Sequence, residues 1–191
     1  SVVMLKDAAR VIKQEAKGLQ SLAARLDKNF TDAVELLDVE GKIILTGVGK
    51  SGYICRKVAA TMISLGRQAI FIHPTEAAHG DMGLVKNNDA LMVFSRSGMA
   101  QELYPLVHFA SERGIKVVLI SEETQTGLAA WVAKTIKLPR VDEAWGHAPT
   151  TSTTMQMAIG DAMAVILAKR HGWTEEDFRA HHPGGQLGAV A

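Results

Sequence analysis

The feature of this sequence that most constrains its fold is the alternation of short, β-branched apolar runs with longer stretches of helical period. The run at residues 42–46 lies between Gly41 and Gly47, and its length and composition predict a buried strand. Similar runs recur along the chain, most of them separated by stretches of helical period. Strands that alternate with helices form a parallel sheet covered on both faces, so we predict an α/β fold of three layers.

Boundaries of the elements follow from the same pattern. The predicted strands cover residues 42–46, 69–72, 89–94, 116–120 and 134–138. The predicted helices cover residues 3–27, 31–38, 51–65, 100–113, 126–132, 151–170 and 174–180. Gly172 is typical of a helix stop, and Thr174 is a suitable cap for the last short helix. Ligands bind beyond the carboxyl ends of parallel strands, so we expect a site among the loops that follow them.

Composition limits the classes of function. The chain has 191 residues, which predicts one domain over residues 1–191 with an N-terminal helical segment. Its net charge is +1 and no basic run interleaves with aromatic residues, which argues against nucleic-acid binding. No apolar stretch has the length of a membrane span, and the single cysteine, Cys55, excludes an internal disulfide. We therefore expect a cytoplasmic protein with Cys55 in its core.

The loop after the first strand, residues 47–52, has the spacing of a dinucleotide-binding fingerprint and opens a helix. No carboxylate ends the second strand, where a dinucleotide would need one, and Ile44 stands where a phosphate-loop ATPase needs its first glycine. Close backbone approach, free amides at the helix start and the Lys50 ammonium all favour a small phosphate ester instead. Gly49 and Ser51 are the predicted substrate-binding residues of this loop.

Two further segments carry clustered hydroxyls. Residues 95–98 read Ser-Arg-Ser-Gly directly after the third strand, and residues 149–154 precede the last long helix. Taken singly, either segment is equally typical of an ordinary turn or helix cap. Together with residues 47–52, their hydroxyls and free amides predict one phosphate-binding pocket. The predicted substrate-binding residues of the two segments are Ser95, Ser97, Thr150, Thr151, Ser152 and Thr153.

Five segments in this order resemble the sugar isomerase (SIS) domain of D-arabinose 5-phosphate isomerases. They are residues 47–52, 76–81, 95–98, 150–154 and 182–185. The resemblance spans nearly the whole chain, and Glu-Ala-Ala-His-Gly-Asp at 76–81 and His-Pro-Gly-Gly at 182–185 are its most diagnostic parts. It implies a flavodoxin-like SIS fold with a five-stranded parallel sheet, no cofactor, no metal, and a homotetramer with active sites near subunit interfaces.

The resemblance also implies a reaction. Members of this family interconvert D-ribulose 5-phosphate and D-arabinose 5-phosphate through an enediol, which begins the path to the sugar acid Kdo of lipopolysaccharide or capsule. The family's catalytic positions match Lys50, His79, Glu102 and His182, and all four side chains are present. Relatives commonly carry a pair of CBS domains after the His-Pro-Gly-Gly segment, and we expect that pair to be absent here.

Each of the four residues has an expected role. Glu102, one turn into the helix after the serine loop, is the expected general base for proton transfer between C1 and C2. Lys50 is expected either to bind phosphate or to stabilise the enediolate. His79 and His182 are expected to open the sugar ring or to move protons between its oxygens, and the sequence does not divide these tasks between them.

Other functions stay open at this stage. SIS domains also serve as sugar-phosphate sensors of transcription regulators, although Glu102 and His182, which a sensor does not need, are both present. An isomerase for another phosphosugar, such as a hexulose 6-phosphate, would share the same loops. Arg96 stands where the family usually has a small polar residue between two serines, and it is predicted either to contact phosphate or to point to solvent.

Overall fold

The computed structural model describes residues 1–186. Its strands are β1 (Ile43–Thr46), β2 (Ala69–Phe71), β3 (Ala90–Phe94), β4 (Lys116–Ser121) and β5 (Lys134–Lys137). Its helices are α1 (Val2–Ala24), α2 (Lys28–Leu37), α3 (Gly49–Ser64), α4 (Pro74–Ala78), α5 (Tyr104–Glu112), α6 (Thr151–Arg170) and α7 (Glu175–Ala180). Short 3₁₀ turns cover Asp81–Leu84, Gln101–Leu103 and Ala129–Trp131. Among the described residues, none of the helices has the length and apolar character needed to span a bilayer.

The five strands form one parallel sheet in the order β2-β1-β3-β4-β5. This confirms the predicted α/β fold with a five-stranded parallel sheet between two helical layers. The strand order reverses at β1, because the chain first adds β2 on one side of β1 and then continues with β3 on the other. Such a switch point leaves a crevice at the carboxyl ends of β1 and β3, which is where ligands bind in open sheets of this kind.

Two apolar layers bury the sheet, because successive side chains of a strand point to opposite faces. Ile43 and Leu45 pack in the layer formed with α2, α3 and α6, whereas Ile44 packs in the layer formed with α4 and α5. Helices α3 and α6 approach each other closely where Gly160 faces Val58, since a Cβ at Gly160 would lie 2.3 Å from Val58 Cγ2. This contact sets the spacing between the two helices whose N-terminal turns meet at the carboxyl edge of the sheet.

The predicted helix at residues 126–132 is wrong, because this stretch contains only the 3₁₀ turn Ala129–Trp131. A single buried side chain, Leu128, anchors the stretch, and one anchor does not make the apolar stripe that holds a helix to a core. Conversely, α4 occupies a stretch for which the sequence predicts no element. Five residues are too few to show a helical period, and α4 relies on a cap in which His73 Nδ1 accepts a hydrogen bond from the Thr75 amide at 3.2 Å.

The position of Glu102 also differs from the prediction. Residues Gln101–Leu103 form a 3₁₀ turn, and α5 begins only at Tyr104. Glu102 therefore lies in the tighter turn before the helix rather than one turn into it. Pro105 accounts for this start, because proline is favoured in a first helical turn, where its missing N–H costs no hydrogen bond.

Two local predictions are confirmed. Thr174 caps α7 in a capping box, in which its hydroxyl accepts from the Asp177 amide while the Asp177 carboxylate accepts from the Thr174 amide. Cys55 is fully buried in the core, and burial raises the pKa of its thiol far above the ordinary value.

Candidate active site

The carboxyl ends of β1 and β3 border an open cleft with a volume of about 810 Å³. Its walls come from the start of α3, the serine loop at residues 95–98, the loop after β4 and the segment that follows β5. Polar side chains of these walls include Ser51, Ser95, Arg96, Ser97, Glu122 and Glu123. The cleft therefore lies at the switch point of the sheet, where the strand order predicts a ligand.

The glycine loop between β1 and α3 presents backbone amides at this cleft. Gly49 begins α3 with φ 57, a left-handed conformation that glycine adopts without strain. Val48, the residue before it, provides no side-chain acceptor, so no side chain caps the first turn of α3. Gly52 lets that turn sit against β1, because a Cβ there would lie 2.8 Å from the Gly47 carbonyl oxygen. An uncapped helix N-terminus of this kind favours an anion.

Two predicted residues follow Gly49 on the first turn of α3. Lys50 is exposed, and it precedes the cleft residue Ser51 in the chain. Ser51 lines the cleft and accepts a hydrogen bond from Gln156 Nε2 on α6 at 3.1 Å. Because Gln156 is itself buried, this bond joins the first turn of α3 to the second turn of α6.

The serine loop at residues 95–98 forms a compact turn with two amides directed outside it. Ser95 is buried and its Oγ accepts from the Gly98 amide at 3.0 Å, whereas the exposed Ser97 accepts from the Met99 amide at 3.2 Å. Among the hydrogen bonds of residues 1–186, none uses the backbone N–H of Arg96 or Ser97. Successive unpaired amides next to serine hydroxyls are typical of anion-binding loops.

The hydroxyls at the start of α6 mainly form hydrogen bonds within the protein. Ser152 Oγ donates to Glu143 Oε2 at 2.8 Å, and Thr153 Oγ1 donates to the Thr150 carbonyl at 3.0 Å. Thr150 Oγ1 accepts from the Ala144 amide at 2.8 Å. Thr151 is fully buried, and its hydroxyl has no hydrogen-bond partner in the described part of the chain. The segment therefore stabilises the N-terminal end of α6 more than it offers free hydroxyls to the cleft.

Glu143 is a site residue that the sequence reasoning missed. Its side chain is 2% exposed and accepts from the Ser152 amide at 2.8 Å and from the Thr150 amide at 2.9 Å. It thus caps α6 from outside the helix, eight residues before the first helical position, Thr151. Helix caps are recognised in sequence at the residue just before the helix, so this spacing carries no local signal.

Arg96 lines the cleft, and its side chain forms an ion pair with Glu122 there. Its Nε donates to Glu122 Oε1 at 3.0 Å, and its Nη1 lies 3.8 Å from Glu143 Oε2. Burial raises the pKa of the Glu122 carboxyl, and Glu143 adds to this effect while Arg96 opposes it. Arg140 and Glu123 form a second ion pair on the exposed rim.

Three of the four predicted catalytic residues follow three different strands at the carboxyl edge of the sheet. Lys50 begins α3 after β1, His79 ends α4 after β2, and Glu102 lies in the 3₁₀ turn after β3. All three are exposed, and α4 packs against the turn that carries Glu102. The described residues contain no group of three or more His, Cys, Asp or Glu side chains that is able to hold a metal ion.

His182 lies apart from the other three. It follows α7, which packs near the C-terminal end of α6, and α6 is 20 residues long. A helix of that length spans about 30 Å, so α6 separates His182 from the cleft of its own chain. The ring of His182 stacks on Phe178 with 3.9 Å between centroids, and its Nδ1 lies 2.6 Å from the Phe178 carbonyl oxygen.

Comparison with known proteins places these features in one family. The model of the SIS domain matches residues 36–166 of this chain. The arabinose 5-phosphate isomerase KdsD of Yersinia pestis is 40% identical over 182 residues, which cover 94% of this chain and 56% of that protein. An uncharacterised protein of Rickettsia prowazekii is 37% identical over 184 residues, which cover 95% of this chain and 58% of that protein. This chain therefore spans somewhat more than half the length of these relatives.

A solved structure matches over nearly the whole length of both chains. It is a protein of Escherichia coli CFT073 in complex with arabinose 5-phosphate, and it superimposes with a TM-score of 0.91. The two sequences are 30% identical, and the match covers 96% of this chain and 99% of the other. The arrangement of strands, helices and cleft described above is thus found in a protein that holds a sugar phosphate.

Proposed function

This chain belongs to the SIS domain family, and on that premise we propose that it is an aldose-ketose isomerase for a phosphosugar, with D-arabinose 5-phosphate and D-ribulose 5-phosphate as its substrate pair. A relative that is 40% identical carries that activity in its name, and the match to the arabinose 5-phosphate complex supports the same ligand. No cofactor is part of the proposal, because moving hydrogen between two neighbouring carbons of one molecule leaves no net electrons to transfer.

One observation carries the proposal. Two sets of uncapped backbone amides, at the start of α3 and in the serine loop, border the same cleft at the switch point of the sheet. Ser51 and Ser97 lie beside them, and the exposed Lys50, which precedes Ser51 in the chain, adds a positive charge. Amides, hydroxyls and an ammonium together recognise a phosphate group while leaving the rest of the cleft for a polyol chain.

The proposed mechanism needs one base and a path for hydroxyl protons. Glu102 removes the proton from C2 of the open-chain aldose, which gives an enediol, and then returns a proton to C1 to form the ketose. O1 gains a proton as the enediol forms, and O2 loses its proton as C1 is protonated, so atoms and charge balance over the two steps. His79, on α4 next to the turn that carries Glu102, exchanges these oxygen protons in this proposal, and Lys50 stabilises negative charge on the enediolate or binds the phosphate.

His182 requires a second copy of the chain if it takes part. The length of α6 keeps it from the cleft of its own chain, so we propose a homotetramer in which a neighbouring copy supplies it. Exposed apolar residues on α1 support an assembly, since side chains of this size are costly to leave in water. They are Val2, Val3, Met4, Leu5 and Ile12, each about two-thirds exposed or more.

The proposal extends to the place of the reaction. Activity toward D-arabinose 5-phosphate would let this protein supply the first intermediate of Kdo synthesis for lipopolysaccharide or capsule, and we place it in the cytoplasm. The KdsD relatives support this assignment. The hydroxyls of Thr150, Ser152 and Thr153 bond within the protein and that of Thr151 is buried, so the segment joins substrate binding in this proposal only if it rearranges when the ligand enters.

The experiment follows conversion of D-arabinose 5-phosphate to D-ribulose 5-phosphate by the purified chain without added metal or cofactor. We expect turnover, and a loss of about 100-fold or more in kcat for Glu102→Gln, since general base catalysis contributes about 10²–10⁴-fold. The matched control is Glu112→Gln, an exposed glutamate at the far end of α5. Saturable binding without turnover would replace the isomerase by a sugar-phosphate sensor, and turnover of a hexulose 6-phosphate alone would change the substrate.

A further inference from the structure

We propose that Arg96 and Glu122 are specificity-determining residues that recognise hydroxyl groups of the sugar chain, separately from the phosphate. The inference rests on the proposed function only in taking a phosphorylated polyol as the ligand. It concerns the wall of the cleft formed by the serine loop and the loop after β4. The residues predicted to be catalytic play no part in it.

The Arg96 guanidinium is held in one orientation. Its Nε donates to Glu122 Oε1 at 3.0 Å, and its Nη2 donates to the Val141 carbonyl at 3.4 Å. The backbone of the same residue is fixed as well, because the Arg96 carbonyl accepts from the Glu122 amide and from Ser121 Oγ, each at 3.0 Å. Arg96 therefore joins the loops after three neighbouring strands, and its side chain is pre-oriented before any ligand arrives.

This arrangement leaves one donor and one acceptor of the pair without a hydrogen bond. Nη1 lies 3.8 Å from Glu143 Oε2, which is beyond hydrogen-bond distance, and within residues 1–186 neither Arg96 Nη1 nor Glu122 Oε2 takes part in a hydrogen bond. Both residues line the cleft, with side chains 39% and 9% exposed. A hydroxyl both donates and accepts, so hydroxyl groups of a sugar chain match a free guanidinium N–H and a free carboxylate oxygen in the wall of one cleft.

The charges of the pair favour a sugar hydroxyl as the partner rather than the phosphate. Arg96 is positive and Glu122 negative, so together they add no net charge to attract a dianion. The unpaired amides of the glycine and serine loops and the Lys50 ammonium already serve an anion. A site built to bond a hydroxyl loses affinity when one partner is removed, because the other partner is left unsatisfied.

The test compares two ligands that differ only in their hydroxyl chain. D-arabinitol 5-phosphate has no carbonyl and cannot react, and inorganic phosphate has no hydroxyl chain. Their Kd values are measured by isothermal titration calorimetry for the unchanged protein, Glu122→Gln and Arg96→Lys. The control is Glu123→Gln, which alters a carboxylate on the same cleft whose partner, Arg140, lies on the rim.

We expect the unchanged protein to bind D-arabinitol 5-phosphate more tightly than phosphate. Both Glu122→Gln and Arg96→Lys should raise the Kd for the polyol phosphate by about 10- to 100-fold, while the Kd for inorganic phosphate changes by less than about fivefold. The control should change neither Kd by more than about threefold. Binding of phosphate shows that each variant has folded with its anion site intact.

Three outcomes would overturn the inference. The first is equal affinity of the unchanged protein for both ligands, and the second is an unchanged affinity for the polyol phosphate in both variants. The third is a parallel loss of affinity for polyol phosphate and inorganic phosphate, which would mean that the pair merely supports the serine loop. None of these depends on turnover. An inactive protein with the expected selectivity would refute the isomerase and leave this inference standing, whereas an active protein whose variants keep their selectivity would do the reverse.

Discussion

Glu143→Gln is expected to lower the free energy of unfolding by about 2–4 kcal/mol, because it disturbs the buried cap of α6. The Glu143 carboxylate accepts from the Ser152 amide at 2.8 Å, the Thr150 amide at 2.9 Å and the Ser152 hydroxyl at 2.8 Å. A glutamine keeps one oxygen and thus one of the two amide bonds, while its NH₂ group faces the other amide donor. The side chain is 2% exposed, so water does not replace the lost bond.

The magnitude follows from these contacts. A hydrogen bond to a charged group contributes about 1.5–3 kcal/mol, and a carboxylate near a helix N-terminus adds about 0.3–1 kcal/mol through the helix dipole. The matched control is Glu123→Gln, whose carboxylate is 36% exposed and pairs with an Arg140 side chain that is 72% exposed. That exposed pair should contribute less than about 1 kcal/mol.

Equilibrium unfolding in urea, followed by far-UV circular dichroism at one fixed protein concentration, measures both variants against the unchanged chain. A fixed concentration matters because association of copies would add to the apparent stability. The reasoning would be refuted by a Glu143→Gln variant that loses no more stability than Glu123→Gln, since a buried cap and a rim ion pair would then contribute equally.

Two further predictions concern the core and its pH dependence. Gly160→Ala should destabilise the protein by about 1–3 kcal/mol through its clash with Val58, although the same change in an exposed helix is favourable by about 1 kcal/mol. In urea unfolding, adding Gly160→Ala to a Val58→Ala variant should lower the stability much less. A urea midpoint that Gly160→Ala leaves unaltered would contradict the close approach of α3 and α6. Burial would raise the pKa of Asp89, but hydrogen bonds from Lys42 and Lys86 outweigh it and hold the pKa below its ordinary range. The stabilisation from the Asp89 carboxylate is therefore present above its unfolded pKa of about 3.9 and is lost as the pH falls through the lower folded pKa. Asp89→Asn should therefore weaken the fall in the free energy of unfolding at acid pH. An identical fall in the variant and the unchanged chain would exclude this contribution.

Much of the architecture could be predicted because its signals are local. The strands read as short apolar runs, the glycines at 47, 49 and 52 mark a close strand-to-helix turn, and Thr174 caps α7 within a span of four residues. The failures have the same origin. Helix α4 is too short to show a period, and residues 126–132 contain helix-forming residues without the apolar stripe that would hold them to the core.

The sequence by itself determined the order of the strands and most of the helices, and the residue types that favour a phosphate at the carboxyl edge of the sheet. Tertiary structure alone decided which of those side chains meet. Glu143 reaches Ser152 across nine residues, and Arg96 reaches Glu122 across 26, through loops whose course depends on the packing of the whole sheet. His182 follows α7, and the length of α6 separates it from the cleft, although its motif is as clear in the sequence as the glycine loop. The physical reason is that backbone periodicity and caps act over a few residues, whereas ion pairs and buried hydrogen bonds depend on distances in space that only the folded chain sets.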